Sequence, residues 1–96
     1  MKLTIAQTET LKALARLGRK KFHTVHNIVR ARIKVRPGNH KGHFEKHWGL
    51  MINKTTDKLT ELKTKGLARL GKNSAVKTDT GWMATVEGEK VGKELQ

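Results

Sequence analysis

Five histidines fall between His23 and His47, the first residues whose types suggest chemistry. His40, His43 and His47 are spaced by three and four, so one helical face could offer their imidazoles to zinc. His43-Phe44-Glu45-Lys46-His47 has the outer histidines of a zinc-protease helix. That chemistry needs Glu directly after the first His, and Phe44 stands there instead. No carboxylate pair and no cysteine completes a metal site. Ser74, the sole serine, has no base beside it in sequence, and no glycine-rich nucleotide loop occurs. The expectation is a protein without catalytic residues, metal or cofactor, whose imidazoles meet phosphate or solvent and add positive charge near neutral pH.

The second chemistry is polyanion binding. The net charge is +13, from 21 Lys and Arg against 8 Asp and Glu. A field of that sign attracts polyanions and speeds their association. No acid occurs between Glu9 and Glu45, an interval holding Lys12, Arg16, Arg19, Lys20, Lys21, Arg30, Arg32, Lys34, Arg36 and Lys41. Such a run is hard to read as an ordinary solvated surface, and nucleic acid is the expected partner. Ninety-six residues make one small domain. Without cysteine there is no disulfide framework, and no apolar run approaches membrane-spanning length. A cytoplasmic, nucleoid-associated protein with no membrane contact is expected.

The elements that must position these groups follow from hydrophobic spacing. Thr4 and Gln7 fit a capping box, and Leu11, Leu14 and Ala15 then share a face up to Gly18. This predicts a first helix at 4–17, with Arg16, Arg19, Lys20 and Lys21 at its end, suited to its dipole or to phosphate. Phe22 and His23 suit a short strand. Thr24 caps a second helix at 24–34 built on Val25, Ile28, Val29 and Ile33, with Arg30, Arg32 and Lys34 on its polar side. Pro37-Gly38 marks a turn inside a basic loop, 35–43, that carries Arg36 and Lys41. From Phe44 the pattern is helical again. Either one helix runs from about 44 to 65 through Gly49, or a short helix at 43–50 precedes a separate one at 53–65 capped by Asn53. Leu59 and Leu62, extended by Ile52 and Thr55, mark its buried face, and Gly66 suits a left-handed cap. Leu67 to Leu70 then leaves as a strand, 71–81 is turn-rich, and Trp82, Ala84 and Val86 alternate as a returning strand.

A helix feeding directly into a hairpin is the core of a winged helix-turn-helix. The runs Lys63-Thr64-Lys65-Gly66-Leu67 and Gly81-Trp82-Met83-Ala84-Thr85-Val86-Glu87-Gly88 resemble the winged-helix pattern of bacterial and phage DNA-binding proteins. The nearest likeness is to the N-terminal winged-helix module of Mrr-type restriction proteins, from Asn53-Lys54 onwards and in the long connection before that helix. It covers about a third of the chain, and Asp57 stands where that module tends to carry an aromatic residue. The resemblance implies an α+β, mostly α domain spanning 1–96: three helices, a C-terminal β-hairpin wing at 67–86 and a short terminal helix at 87–95. It also implies contacts from Asn53, Lys54, Thr56 and Thr60.

With Leu59 and Leu62 inward, Asn53, Lys54, Asp57, Thr60, Glu61 and Thr64 face outward. Asn can read adenine in bidentate fashion, and Thr can meet bases or phosphate in a major groove. Asp57 and Glu61 repel phosphate unless they accept from cytosine or pair with Lys58 and Lys65. Arg69, Lys72, Asn73 and Lys77 in the wing suit phosphate contact or minor-groove insertion, with phosphate contact favoured by the overall charge. The expected contact set is Asn53, Lys54, Thr56, Lys58, Thr60, Arg69, Lys72, Asn73, Lys77, Arg30, Arg32, Lys34, Arg36 and Lys41. The expected function is double-stranded DNA binding by a small transcriptional regulator or accessory factor. RNA or ribosome binding is the alternative, as is protein binding that inhibits a nucleic-acid enzyme. The tail has Val91 and Leu95 four apart and can form a last helix; the resemblance implies that it packs on the first helix or makes a homodimer contact.

Overall fold

The computed structural model describes residues 2–36, 38, 40–72 and 80–95. Its elements are α1 (Ile5–Leu17), α2 (Val25–Val35), α3 (Lys41–Lys46), α4 (Trp48–Thr64), β1 (Ala68–Lys72), β2 (Thr80–Ala84) and α5 (Val86–Glu94). The class is α+β, mostly helical, with one antiparallel hairpin after the first four helices. Among the described residues no helix is long and apolar enough to cross a membrane.

Local sequence explains most boundaries. Thr4 caps α1 through a complete capping box: its Oγ1 accepts from the Gln7 amide at 3.1 Å, and its own amide donates to Gln7 Oε1 at 3.0 Å. Gly18 ends α1 at φ 88°, a region that favours a residue without Cβ. Thr24 caps α2 through the Asn27 amide. Between these helices, His23 exchanges two backbone hydrogen bonds with Trp82, at 2.7 and 2.8 Å. This bridge places the segment beside β2 on the edge opposite β1.

The separate helix at 53–65 is not what forms. The α3 segment breaks at His47, and α4 starts at Trp48, so Asn53 sits inside α4 rather than at its cap. The hydrogen bonds His47 N to His43 O and Met51 N to His47 O carry the helical ladder almost through the junction. Gly49 is therefore tolerated within the first turn of α4. The basic loop shrinks as well, because Val35 belongs to α2 and Lys41 already begins α3. Four helices thus precede the hairpin, where three were expected.

The end of α4 is a Schellman motif. Gly66, at φ 77°, donates to Lys63 O at 3.0 Å, and Leu67 donates to Leu62 O at 2.9 Å. Leu62 and Leu67 are both fully buried, so the apolar contact that accompanies this motif is present. β1 leaves at once and pairs with β2, with Ala68 opposite Ala84 and Leu70 opposite Trp82. The second strand ends at Ala84. Val86, expected on it, instead begins α5 and is 68 % exposed. Thr85 explains the early stop: its Oγ1 donates to Gly66 O at 2.7 Å and accepts from Gly88 N at 3.0 Å, capping α5 while tying it to the end of α4.

One core joins Leu11, Leu14, Ile28, Leu59, Leu62, Leu67, Trp82 and Ala84 from α1, α2, α4 and the hairpin. A second, smaller cluster joins Val29, Phe44 and Met51 and fixes α3 to the α2–α4 pair. The terminal helix packs on α1, where Gly92 lies against Ala15 and the Leu11 carbonyl.

Two glycines of α4 and α5 separate space from sequence preference. A Cβ at Gly88 would collide with the Leu67 carbonyl oxygen, whereas one at Gly49 meets nothing. Gly88→Ala is expected to cost about 1–3 kcal/mol through overpacking. Gly49→Ala is expected to gain roughly 0.4–1 kcal/mol by restricting the unfolded chain. Urea denaturation of the two variants checks the opposite signs.

Candidate nucleic-acid interface

The first correction concerns two of the expected contacts. Arg32 is 4 % exposed and lies inside the protein rather than on a polar side of α2. Its Nε donates to Glu9 Oε1 at 2.8 Å, and its Nη1 donates to Thr55 Oγ1 at 2.7 Å. Arg36 grips the same carboxylate, Nε to Oε2 at 2.7 Å and Nη2 to Oε1 at 2.9 Å. Both guanidiniums also approach the buried Phe44 ring, Arg36 at 4.8 Å and Arg32 at 6.0 Å. A buried carboxylate must be paired and hydrogen-bonded, and Glu9 takes both arginines for that purpose. Arg32 is thereby withdrawn from the surface, and Arg36, its side chain 29 % exposed, is engaged with Glu9.

The outer face of α4 is uncovered. Asn53, Lys54, Asp57, Thr60, Lys63 and Thr64 are all exposed, while Met51, Thr55, Leu59 and Leu62 are buried. Thr56, Thr60 and Thr64 donate their hydroxyls back to Ile52, Thr56 and Thr60 carbonyls, at 2.9, 3.0 and 3.1 Å. With its proton committed to the helix, each threonine keeps an oxygen acceptor and a methyl group. Methyls suit contact with the thymine methyl in a major groove.

Lys58 is less free than expected. It pairs with Glu61 at 3.1 Å, and Glu61 accepts from the Gln7 side-chain amide at 2.6 Å. The Gln7 amide, then the Lys58 ammonium, hold the Glu61 carboxyl below its ordinary value. This ties α4 to the start of α1 and removes one acid–base pair from the outward stripe. Asp57 remains on it, able to accept from a cytosine amino group.

On the hairpin, Arg69 and Lys72 are exposed, and the Arg69 guanidinium sits 5.6 Å over the Phe22 ring. Asn73 and Lys77 lie outside the described residues. The remaining expected cations, Arg30, Lys34 and Lys41, gather around the outer ridge of α2 rather than beside α4's exposed stripe. They line a cleft of about 630 Å³ with Ile33, Glu45 and Trp48. Lys41 pairs loosely with Glu45 at 3.8 Å. Arg30 stands 5.6 Å over the Trp48 ring, and His26 lies 6.0 Å from it. Asn27, whose Oδ1 accepts from Arg30 at 3.3 Å, carried no signal in the sequence beyond its place after a helix cap.

The histidines do not converge. His43 and His47 have ring centroids 4.9 Å apart, but His26 packs on Trp48 and His23 is buried, its Nε2 donating to Gly18 O at 2.9 Å. Among the described residues no group of three metal-ligating side chains could hold an ion.

No family model matches this chain, and comparison with curated proteins and with solved structures finds no match to either.

Two expectations follow from the polar contacts. Glu9→Ala leaves two guanidiniums uncompensated and should cost about 3–5 kcal/mol of unfolding free energy, read by urea denaturation. Were Arg32 a phosphate contact, Arg32→Met would instead weaken binding more than it weakens the fold.

Glu61 has a lowered folded pKa, so its contribution is fully present above the unfolded value of 4.5 and is lost as pH falls through the lower folded value. The stability gap between the wild type and Glu61→Gln, followed by thermal melts from pH 7 to pH 3, should hold steady and then narrow below that value.

Proposed function

We propose that this chain is a winged helix-turn-helix protein that binds double-stranded DNA, with α4 in the major groove and the hairpin against the flanking backbone. The connectivity supports the fold reading. A helix, an extended segment, a set of helices and a hairpin follow in order, and the extended segment pairs with the second hairpin strand. The function reading rests on one observation above all: α4 keeps Asn53, Lys54 and Thr60 exposed on one face, immediately before a hairpin bearing exposed Arg69 and Lys72.

In this reading Asn53 reads adenine through its amide, Lys54 meets phosphate or guanine, and Thr60 offers its methyl to thymine. Arg69 and Lys72 neutralise backbone phosphates and set the register. The Schellman turn and the Thr85 clamp hold α4 and the hairpin in fixed relation, and the Gln7–Glu61 bond holds α4 to α1. The action is binding, in the manner of a small regulator or accessory factor of the nucleoid, and not catalysis.

The test titrates labelled duplex DNA and structured RNA across a salt series, with the wild type and Asn53→Ala plus Lys54→Ala. Duplex DNA should bind tighter than RNA at equal salt. The double variant should lose about 1–3 kcal/mol of discrimination at its preferred site, and its salt slope should become shallower by about 0.9 for the lost phosphate contact. Unchanged affinity and preference in that variant would refute the assignment of α4. Preference for structured RNA would move the function to the ribosomal class.

A further inference from the structure

One acid-free concavity lies away from the exposed stripe of α4. It is the groove between the end of α1 and the outer face of α2, a cleft of about 370 Å³ lined by Arg16, Lys21, Asn27, Arg30 and Lys34 among others, without any carboxylate. Arg16, Lys21, Arg30 and Lys34 are exposed or nearly so, and none belongs to an ion pair among the described residues. Arg30, over the Trp48 ring, and Lys34 are shared with the neighbouring cleft that holds Glu45, whereas Arg16 and Lys21 belong to this groove and not to that cleft. Cations gathered on one concavity raise the local concentration of anions more than the same cations dispersed.

The groove's direction gives it meaning. The helices α1, α2 and α4 each pack on the other two. In such a triangle the groove between two helices opens away from the third. The α1–α2 groove therefore faces away from the exposed stripe of α4. The chain's charge of +13 is larger than the exposed cations of the α4 face and hairpin supply.

We infer that the α1–α2 groove binds the phosphate backbone of a second nucleic-acid segment, so that a single chain bridges two duplexes. The inference builds on the reading of α4 as the first duplex site. The groove contact is sequence-independent, because its cations and the Asn27 amide face phosphates without any helix to enter a base-lined groove. The two sites divide the work: α4 selects a position, and the groove draws in a neighbouring segment.

The experiment mixes the protein with short duplexes in two colours. It reads two-colour coincidence together with the sedimentation mass of the complex. The wild type should give complexes of one chain and two duplexes. Arg16→Gln plus Lys21→Gln should reduce coincidence at least tenfold while changing affinity for the first duplex less than threefold. A charge-matched control, Lys2→Gln plus Lys90→Gln, should keep coincidence near the wild-type level. Complexes limited to one duplex, bridges containing two chains, or equal losses in the control would each overturn the inference. First-duplex affinity of Asn53→Ala plus Lys54→Ala is measured in parallel. If that variant binds normally and the groove variant loses all binding, the groove is the sole site, and both the bridging and the α4 reading fall. If the α4 variant loses its duplex but the groove variant behaves as the wild type in every readout, bridging alone falls.

Discussion

The carboxylate of Glu9 organises this protein. It projects from α1, two guanidiniums close around it, and one of them, Arg32, also donates to the Thr55 hydroxyl of α4. An ionised carboxylate in that position is strongly unfavourable without partners, so the helices can pack this way only when Arg32 and Arg36 arrive together. Those arginines also approach Phe44, which ties α3 to the same point. Apolar burial supplies the drive to collapse. The Glu9 cluster limits the register in which α2 can lie on α1, because a helical slip by one residue would bury a charge unpaired.

That constraint reshapes the electrostatics. Glu9 is the last acid before Glu45, and it takes two of the basic residues that follow it. Arg16 and Lys21 at the end of α1, and Arg30 and Lys34 on the α2 ridge, form no ion pair among the described residues. The ion-paired acids beyond Glu9 stand near a helical turn's distance from a lysine: Glu45 with Lys41, Glu61 with Lys58, Glu89 with Lys93. Such exposed pairs add little stability, but they neutralise locally and keep the positive field from being uniform. The acid-free α1–α2 groove is what remains when acids are used in this way.

The helices were legible where local chemistry decides them. Thr4 with Gln7, Thr24, Gly18 and Gly66 act through groups within five residues, so their spacing is enough to read caps and stops. The hydrophobic period likewise placed Leu59 and Leu62 inward. Position 53 was misread because Asn favours a helix start by itself, while α4 is set by Phe44, Trp48 and Met51 packing on α2, which local preference does not register. Val86 followed the alternation of Trp82 and Ala84 in sequence, but Thr85 turns the chain through a bond to Gly66, nineteen residues away. Arg32 is the sharpest case. Its neighbours Arg30 and Lys34 are exposed, its own place on the helix looks polar, and the residue that buries it is Glu9, in another helix. Charge in a sequence says how much field a chain carries, and only the tertiary partner says where the field is spent.

The same logic bears on α4 itself. Four of its seventeen residues are threonine: Thr55, Thr56, Thr60 and Thr64. β-branching and a competing hydroxyl make threonine a weak helix former. An isolated segment of this sequence would be a poor helix. Thr55 compensates by accepting from Arg32 in the core, and the other three bond back to their own helix. The helix persists because Leu59 and Leu62 are buried and because its two ends are held, by the α3 junction at one side and by Gly66, Leu67 and Thr85 at the other. A polar, threonine-rich outer face on a helix that tertiary contacts must hold in place is costly if the face has no use. It is economical if that face is presented, already rigid, to a groove of matching shape, since little ordering then remains to be done on binding.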